Sequence, residues 1–225
     1  MKKLTEWWGS GSKDLVVAME RKEVHRAKVH RKRTKAAFSF VLGVLRELLV
    51  KYKVLESTNE QLNSEVLAEL LMRVDVVPPS LALAQAASES GWGTSRFASA
   101  GNALFGQWTW GKGLKPTEQR TSEFGDQRVA AFDSTVLAAY SYALNLNTGR
   151  AYHDFRLKRA DLRRQKQRIS GTVLAETLLH YSERGQAYVN DLEALIRQNQ
   201  FDAVDDAYLR RMAVIHIVPA DPNLK

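Results

Sequence analysis

The strongest constraint on the fold lies in the run Ser80–Ser88 (SLALAQAAS), entered through Pro78-Pro79 and closed by Gly91-Trp92-Gly93. A prolyl pair suits the entry to a helix. Leucine and alanine leave this helix little polar surface, and a helix apolar on all sides belongs inside a domain. Glu89 breaks the pattern. It falls near the C-terminal end of the helix, where the macrodipole disfavours negative charge. Its neighbours Trp92 and Phe105 are suited to excluding water from it. Both effects favour the neutral acid and raise the pKa. A protonated carboxyl of this kind is what general-acid cleavage of a glycosidic bond requires. Two plainer readings compete: a glutamate paired with an arginine such as Arg96, and one exposed at a helix end.

The remaining sequence reads as mostly helical. Apolar residues at helical spacing (Phe38, Leu42, Leu45, Leu48 and Leu49) predict one or two helices between Lys13 and Leu55. Ser57 to Glu60 reads as a cap. Further helices are expected over Ser64–Arg73, Ser134–Asn147, Ala151–Gln167, Gly171–Ser182 and Gln186–Gln198. Residues 94–118 read as irregular. Gln119–Phe124 and Gln127–Phe132 flank Gly125-Asp126, a two-residue turn suited to a β-hairpin. The tail from Phe201 starts helical and ends extended. The expected class is mainly α (α+β): a helical body with a small β-hairpin lobe.

Charge divides the chain. Residues 1–56 hold 14 Lys and Arg against 6 Asp and Glu, while the remainder holds 19 of each. The whole basic excess therefore precedes the apolar helix, concentrated between Arg21 and Lys35. It reads as a solvated helix face or as a patch for an anionic partner. No recognised nucleic-acid-reading motif accompanies it, so no specific nucleic-acid partner is expected. Ala36–Leu45 is about half the length of a membrane span and reads as a core helix; no ordinary signal peptide is visible. The absence of cysteine excludes disulfides and thiolate metal sites. The histidines have no metal-ligand spacing, so neither metal nor cofactor is expected. Serines 88, 90 and 95 lack a nucleophile-elbow pattern.

Beyond the apolar helix, Gly101-Asn-Ala-Leu-Phe-Gly-Gln-Trp-Thr-Trp110 offers close backbone approach at its glycines, amides at Asn102 and Gln107, and flat faces at Trp108 and Trp110. A glycine-rich turn followed by core tryptophans is the plainer reading. The stretch PPSLALAQAASESGWGTSRFASAGNALFGQW resembles the core of the Bax-like members of glycoside hydrolase family 73, which are endo-β-N-acetylglucosaminidases. The likeness continues through Phe132–Ser134, Asn145–Tyr152 and Tyr181–Leu192, covering roughly residues 74 to 200.

The resemblance implies a lysozyme-like fold acting on peptidoglycan glycan strands, with cleavage after N-acetylglucosamine. Glu89 matches the catalytic acid of the Glu-Ser-x-Trp-Gly motif. Glu123 matches a second acidic residue proposed in parts of the family, and otherwise reads as a surface strand residue. Tyr181 matches a cleft-lining tyrosine, with Tyr188 as the competing alignment. Asn102, Phe105 and Gly106 match the motif that shapes the site floor, and Trp92, Gln107 and Trp108 complete the expected substrate contacts. Many relatives carry two cysteines around the glycine-rich loop, where this chain has Thr109 and Leu114.

The implied organisation is a basic helical segment over 1–56, a catalytic domain over 57–200 and a tail over 201–225. The chain is expected as a monomer in the cell envelope, its basic segment set against an anionic wall polymer or membrane surface. A muramidase, a lytic transglycosylase or a non-catalytic wall-binding module are the alternatives.

Overall fold

The apolar run folds as expected into a helix, but it buries one face, through Leu81, Ala84, Gln85 and Ala87, while Leu83 stays 44% exposed; the other elements gather on the buried face. The computed structural model describes residues 33–116 and 126–207. In chain order the helices are α1 (Arg33–Lys51), α2 (Ser64–Arg73), α3 (Pro79–Ser90), α4 (Arg96–Gly101), α5 (Thr135–Thr148), α6 (His153–Arg164), α7 (Gly171–Ala175) and α8 (Gln186–Gln198). Single 3-10 turns lie at Arg150–Tyr152 and Phe201–Val204. Three short strands, β1 (Trp108–Thr109), β2 (Gly113–Leu114) and β3 (Arg128–Ala130), form an antiparallel sheet in the order β1-β3-β2. The protein is mainly α with a small β lobe.

α3 packs against α7, α8 and the 3-10 turn Phe201–Val204. Leu81 and Ala84 of α3 share one core with Tyr142 and Leu146 of α5, Phe155 of α6, Leu174 of α7 and Leu192 of α8. Each fully buried leucine there contributes roughly 1.5–3 kcal/mol. A second cluster joins Leu49, Tyr52 and Leu55 to Leu70 of α2, with Leu144 of α5 packed against it.

The N-terminus of α3 begins with proline and has no side-chain cap of its own. Asp205 takes that place from across the chain. Its Oδ1 accepts from Ser80 N at 2.8 Å, and its Oδ2 accepts from Ser80 Oγ at 2.7 Å and from Gly171 N at 3.0 Å. One carboxylate thus meets the positive ends of both α3 and α7. The link into α3 is pinned by Arg159, which is fully buried. Its guanidinium donates to the carbonyls of Met72 and Val76 at 2.9 and 2.7 Å, and to Asn147 Oδ1 at 2.8 Å.

Several local expectations change. Residues 94–118, read as irregular, contain α4, β1 and β2. β3 pairs with both of those strands, at Trp108↔Val129 on one edge and Leu114↔Val129 on the other. The expected hairpin partner, Gln119–Phe124, lies outside the described residues. The cap expected at Ser57–Glu60 lies instead at Asn63, whose side chain accepts from Val66 N. Glu60 turns back to accept from the backbone N–H groups of Glu56 and Ser57. The helix expected over Ala151–Gln167 splits into a 3-10 turn and α6, and the one over Gly171–Ser182 stops at Ala175.

Gly171 has no room for a side chain, because a Cβ there would meet Ser80 Oγ at 2.0 Å and Leu81 N at 2.6 Å. Gly171→Ala is therefore expected to destabilise the fold by about 1–3 kcal/mol through overpacking. Chemical denaturation of the two proteins measures this, and equal midpoints would contradict the close packing.

Candidate active site

Glu89 sits in the last turn of α3, and the chain reverses immediately after it. Gly91, Trp92 and Gly93 are all left-handed, with φ of 58°, 59° and 78°. Trp92 N bonds back to Ala87 O at 2.9 Å, closing the helix with a Schellman-type bond. Ser90 Oγ donates to Ala86 O and accepts from Gly93 N, fixing the turn from inside. A tryptophan in this backbone region costs about 1–2 kcal/mol relative to glycine. The turn is therefore held by its surroundings rather than by local preference.

The glycine-rich loop forms the opposite wall. Asn102 ends α4 in the left-handed conformation, and its Nδ2 donates to Phe132 O at 2.9 Å. Gln107 O accepts from Ala130 N at 2.8 Å, so the loop is tied to β3 at one end and to Phe132, just beyond β3, at the other. Phe105 is buried and stacked on Tyr142, with ring centroids 4.0 Å apart. Gly106 follows with φ 58° and lies against the acid: a Cβ there would stand 3.0 Å from Glu89 Oε2.

Tyrosines complete the surroundings. The Tyr188 hydroxyl faces the Glu89 carboxylate and favours its charged form, as a hydrogen-bond donor does. Tyr181 stacks on Tyr188 at 5.7 Å, with the two ring planes nearly parallel, and donates its own hydroxyl to Phe105 O at 2.9 Å. Tyr152 leans on Tyr181 at 5.8 Å. Behind Tyr188, Gln85 Nε2 donates to its hydroxyl at 2.9 Å, while Gln85 Oε1 accepts from Tyr142 at 2.6 Å. Burial raises the pKa of Glu89, and the Tyr188 hydrogen bond and the Arg184 charge offset only part of that rise. Burial also pushes Tyr142, Tyr181 and Tyr188 above the ordinary phenol range, so these hydroxyls stay neutral.

Of the residues singled out from sequence, Glu89, Phe105, Gly106, Tyr181 and Tyr188 come together directly. Asn102 and Gln107 anchor the loop that carries Gly106, and the Gln107 Oε1 is buried without a hydrogen-bond partner among the described residues. Trp92, Trp108 and Trp110 are 60%, 52% and 73% exposed, so none of them is a core tryptophan. Arg96 is engaged elsewhere, donating to Lys115 O at 2.6 Å. Glu123 lies outside the described residues. Gln85, Tyr142 and Tyr152 were passed over in the sequence. The available signal was Gln85, an amide one turn ahead of Glu89 in an otherwise apolar helix. No group of His, Cys, Asp and Glu side chains suited to a metal ion occurs among the described residues.

A family profile described as mannosyl-glycoprotein endo-beta-N-acetylglucosaminidase matches residues 65–201. The chain belongs to the glucosaminidase family. It is also 37% identical over 158 residues to Protein bax of Escherichia coli (strain K12), a match covering 69% of this chain and 54% of the relative. The chain thus spans about half the length of that curated relative. No solved structure gives a significant match. The matched glucosaminidase region runs from α2 to Phe201, the first residue of the last 3-10 turn, so it contains every described group around Glu89.

The close approach of Gly106 to Glu89 yields a direct test. Gly106→Ala is expected to lower kcat about a hundredfold by displacing the carboxyl, and to cost about 1–2 kcal/mol from the left-handed backbone. Turnover of a soluble glycan checks the first effect and thermal melting the second. Unchanged turnover would separate the loop from the acid.

Proposed function

We propose that this glucosaminidase-family chain is a peptidoglycan hydrolase that cleaves the β-1,4 bond after N-acetylglucosamine, with Glu89 as the general acid. The observation that carries the reading is the half-buried Glu89, raised in pKa, beside a glycine whose missing side chain leaves room at the carboxyl. Such a group holds its proton to higher pH than an ordinary carboxyl. It transfers that proton to the glycosidic oxygen as the oxocarbenium-like transition state develops. The exposed Trp92, Trp108 and Trp110 offer apolar faces to sugar rings.

Residues 57–200 are read as the catalytic domain, and a peptidoglycan substrate implies a cell-envelope location. Among the described residues, no helix is long and apolar enough to cross a membrane. Glu123 is proposed as the second carboxylate. Tyr188 assists Glu89 through its hydrogen bond, and Tyr181 braces the loop at Phe105.

Digestion of purified peptidoglycan, with mass spectrometry of the reduced products, tests the reading. The expected products carry new N-acetylglucosamine reducing ends, and Glu89→Gln is expected to lower their rate of formation about 10²- to 10⁴-fold. Muramic acid ends would make the protein a muramidase, and anhydro-muramic ends a transglycosylase. Equal product from both proteins would remove Glu89 from the mechanism. The sign of the pH dependence follows from the acid role: turnover falls as pH rises through the Glu89 pKa, and that limb lies above the ordinary carboxylate range.

The basic excess of residues 1–56 is proposed to hold the enzyme near anionic wall polymers. Deleting residues 1–35 should weaken wall binding in a salt-dependent way and leave activity on soluble fragments intact. Sedimentation with purified walls at low and high salt measures this, and unchanged binding would overturn it.

A further inference from the structure

A carboxylic acid has two oxygens, and only the one carrying the proton serves as an acid. The buried groups behind Glu89 bear on that choice. Tyr142 is fully buried and stacked on Phe105, so its hydroxyl has a fixed position. It donates to Gln85 Oε1 at 2.6 Å, and Gln85 Nε2 donates to the Tyr188 hydroxyl at 2.9 Å. Gln85 is itself fully buried. The donor–acceptor sequence therefore runs in one direction, from Tyr142 through Gln85 to the Tyr188 hydroxyl, and leaves the Tyr188 proton for the Glu89 carboxylate it faces.

Once Glu89 is protonated, two arrangements compete. In the first, Tyr188 still donates to Glu89, and the acid's proton sits on its other oxygen. In the second, Glu89 donates to Tyr188, whose own proton must then go to Gln85 Oε1. That second arrangement needs the amide turned over, which presents Nε2 to Tyr142 and leaves the Tyr142 proton without its acceptor. A buried donor without an acceptor is costly. We propose, building on the general-acid reading of Glu89, that Gln85 and Tyr142 are positioning residues that force Tyr188 to remain the donor, so that the proton of Glu89 sits on the oxygen turned away from Tyr188 and free for the substrate.

The other groups around the acid leave this choice to the relay. Tyr181 spends its hydroxyl on Phe105 O, and Tyr152 bonds Asn145. Arg184, the cation that acts on Glu89, is paired with Asp191 at an exposed site. The tyrosines stay neutral, so Glu89 is the group that titrates in this cluster.

The relay makes an unusual prediction: one variant is rescued by deleting its partner. In Tyr142→Phe the ring remains, but Gln85 Oε1 loses its donor and is free to take the Tyr188 proton. Glu89 then donates to Tyr188 and its acid form gains stability. Its titration, followed by carboxyl ¹³C NMR and assigned with Glu89→Gln, moves to higher pH. kcat on soluble glycan falls about tenfold while KM stays within about twofold, as expected for a misdirected proton. Adding Gln85→Met removes the competing acceptor, so Tyr188 again donates to Glu89. The double variant is expected to regain most of the lost kcat and a titration near that of the wild type.

Leu192→Ala, a fully buried core truncation, is expected to lower the melting temperature without moving the titration. The relay is overturned if Tyr142→Phe leaves the titration unmoved, if the double variant is displaced as far as the single one, or if Leu192→Ala moves it equally. Because the NMR titration needs no turnover, a protein that titrates as expected yet cleaves no glycan would refute the hydrolase reading and leave the relay standing.

Discussion

Burying one face of a nearly apolar helix obliges the polar groups on that face to find partners inside the protein. α3 meets that obligation at three places. At its N-terminus the partner is Asp205, 125 residues further along the chain, which bonds both Ser80 groups and Gly171 N together. In the middle it is the pair Tyr142 and Tyr188, which hold the two ends of the Gln85 amide. At the C-terminus it is the left-handed turn through Gly91, Trp92 and Gly93, which returns backbone N–H groups to the last carbonyls. The order of the later elements follows from this, since α5, α7, α8 and the turn at Phe201–Val204 must each deliver a group or an apolar face to one helix.

The chemistry of Glu89 depends on which partners it does not receive. A guanidinium bonded to the carboxylate would have pulled its pKa down, which is the outcome a structural glutamate near Arg96 would have shown. Arg96 instead reaches Lys115 O and lies over the ring of Phe97. The cation that does act on Glu89, Arg184, is exposed and tied to Asp191, and solvent screens most of its influence. What stands against the carboxyl is a phenol, which bonds the charged form without supplying a countercharge. Burial therefore outweighs the stabilising contacts, and the acid keeps its proton to higher pH.

Features set by local rules were legible in the sequence. The apolar run, its proline entry and its glycine exit located α3, and the bounds of α2 and α8 followed from apolar spacing. The anomaly of Glu89 was visible because a charge in an apolar helix violates a local pattern. β3 lies within the strand predicted over Gln127–Phe132, whereas β1 and β2 were not legible. Two-residue strands carry no periodicity, and β1 and β2 exist because β3 presents both edges to them. The cap at Asn63 was missed for a related reason, since Glu60, the residue that suggested a cap upstream, serves the preceding loop instead. Tyr181 and Tyr188 could not be ranked by spacing alone. Their rings stack face to face, and only the direction of each hydroxyl separates the brace on Phe105 from the donor to Glu89.

The loop motif Asn102-x-x-Phe105-Gly106 and the acid rest on the same two tyrosines, Tyr142 and Tyr181. Asn102 must turn left-handed to leave α4 and reach Phe132 O. Phe105 must then fall on Tyr142, and its carbonyl on the Tyr181 hydroxyl. Only then does Gly106 arrive against Glu89. Tyr142 also orients Gln85, and Tyr181 also stacks on Tyr188, so the two residues that hold the loop are the same two that back the acid's hydrogen-bond donor. A shift of the loop by one residue would unseat Phe105 from Tyr142 and, through Gln85, disturb the donor on Glu89. Loop and acid are thus coupled through two tyrosines, and neither can be repositioned without the other.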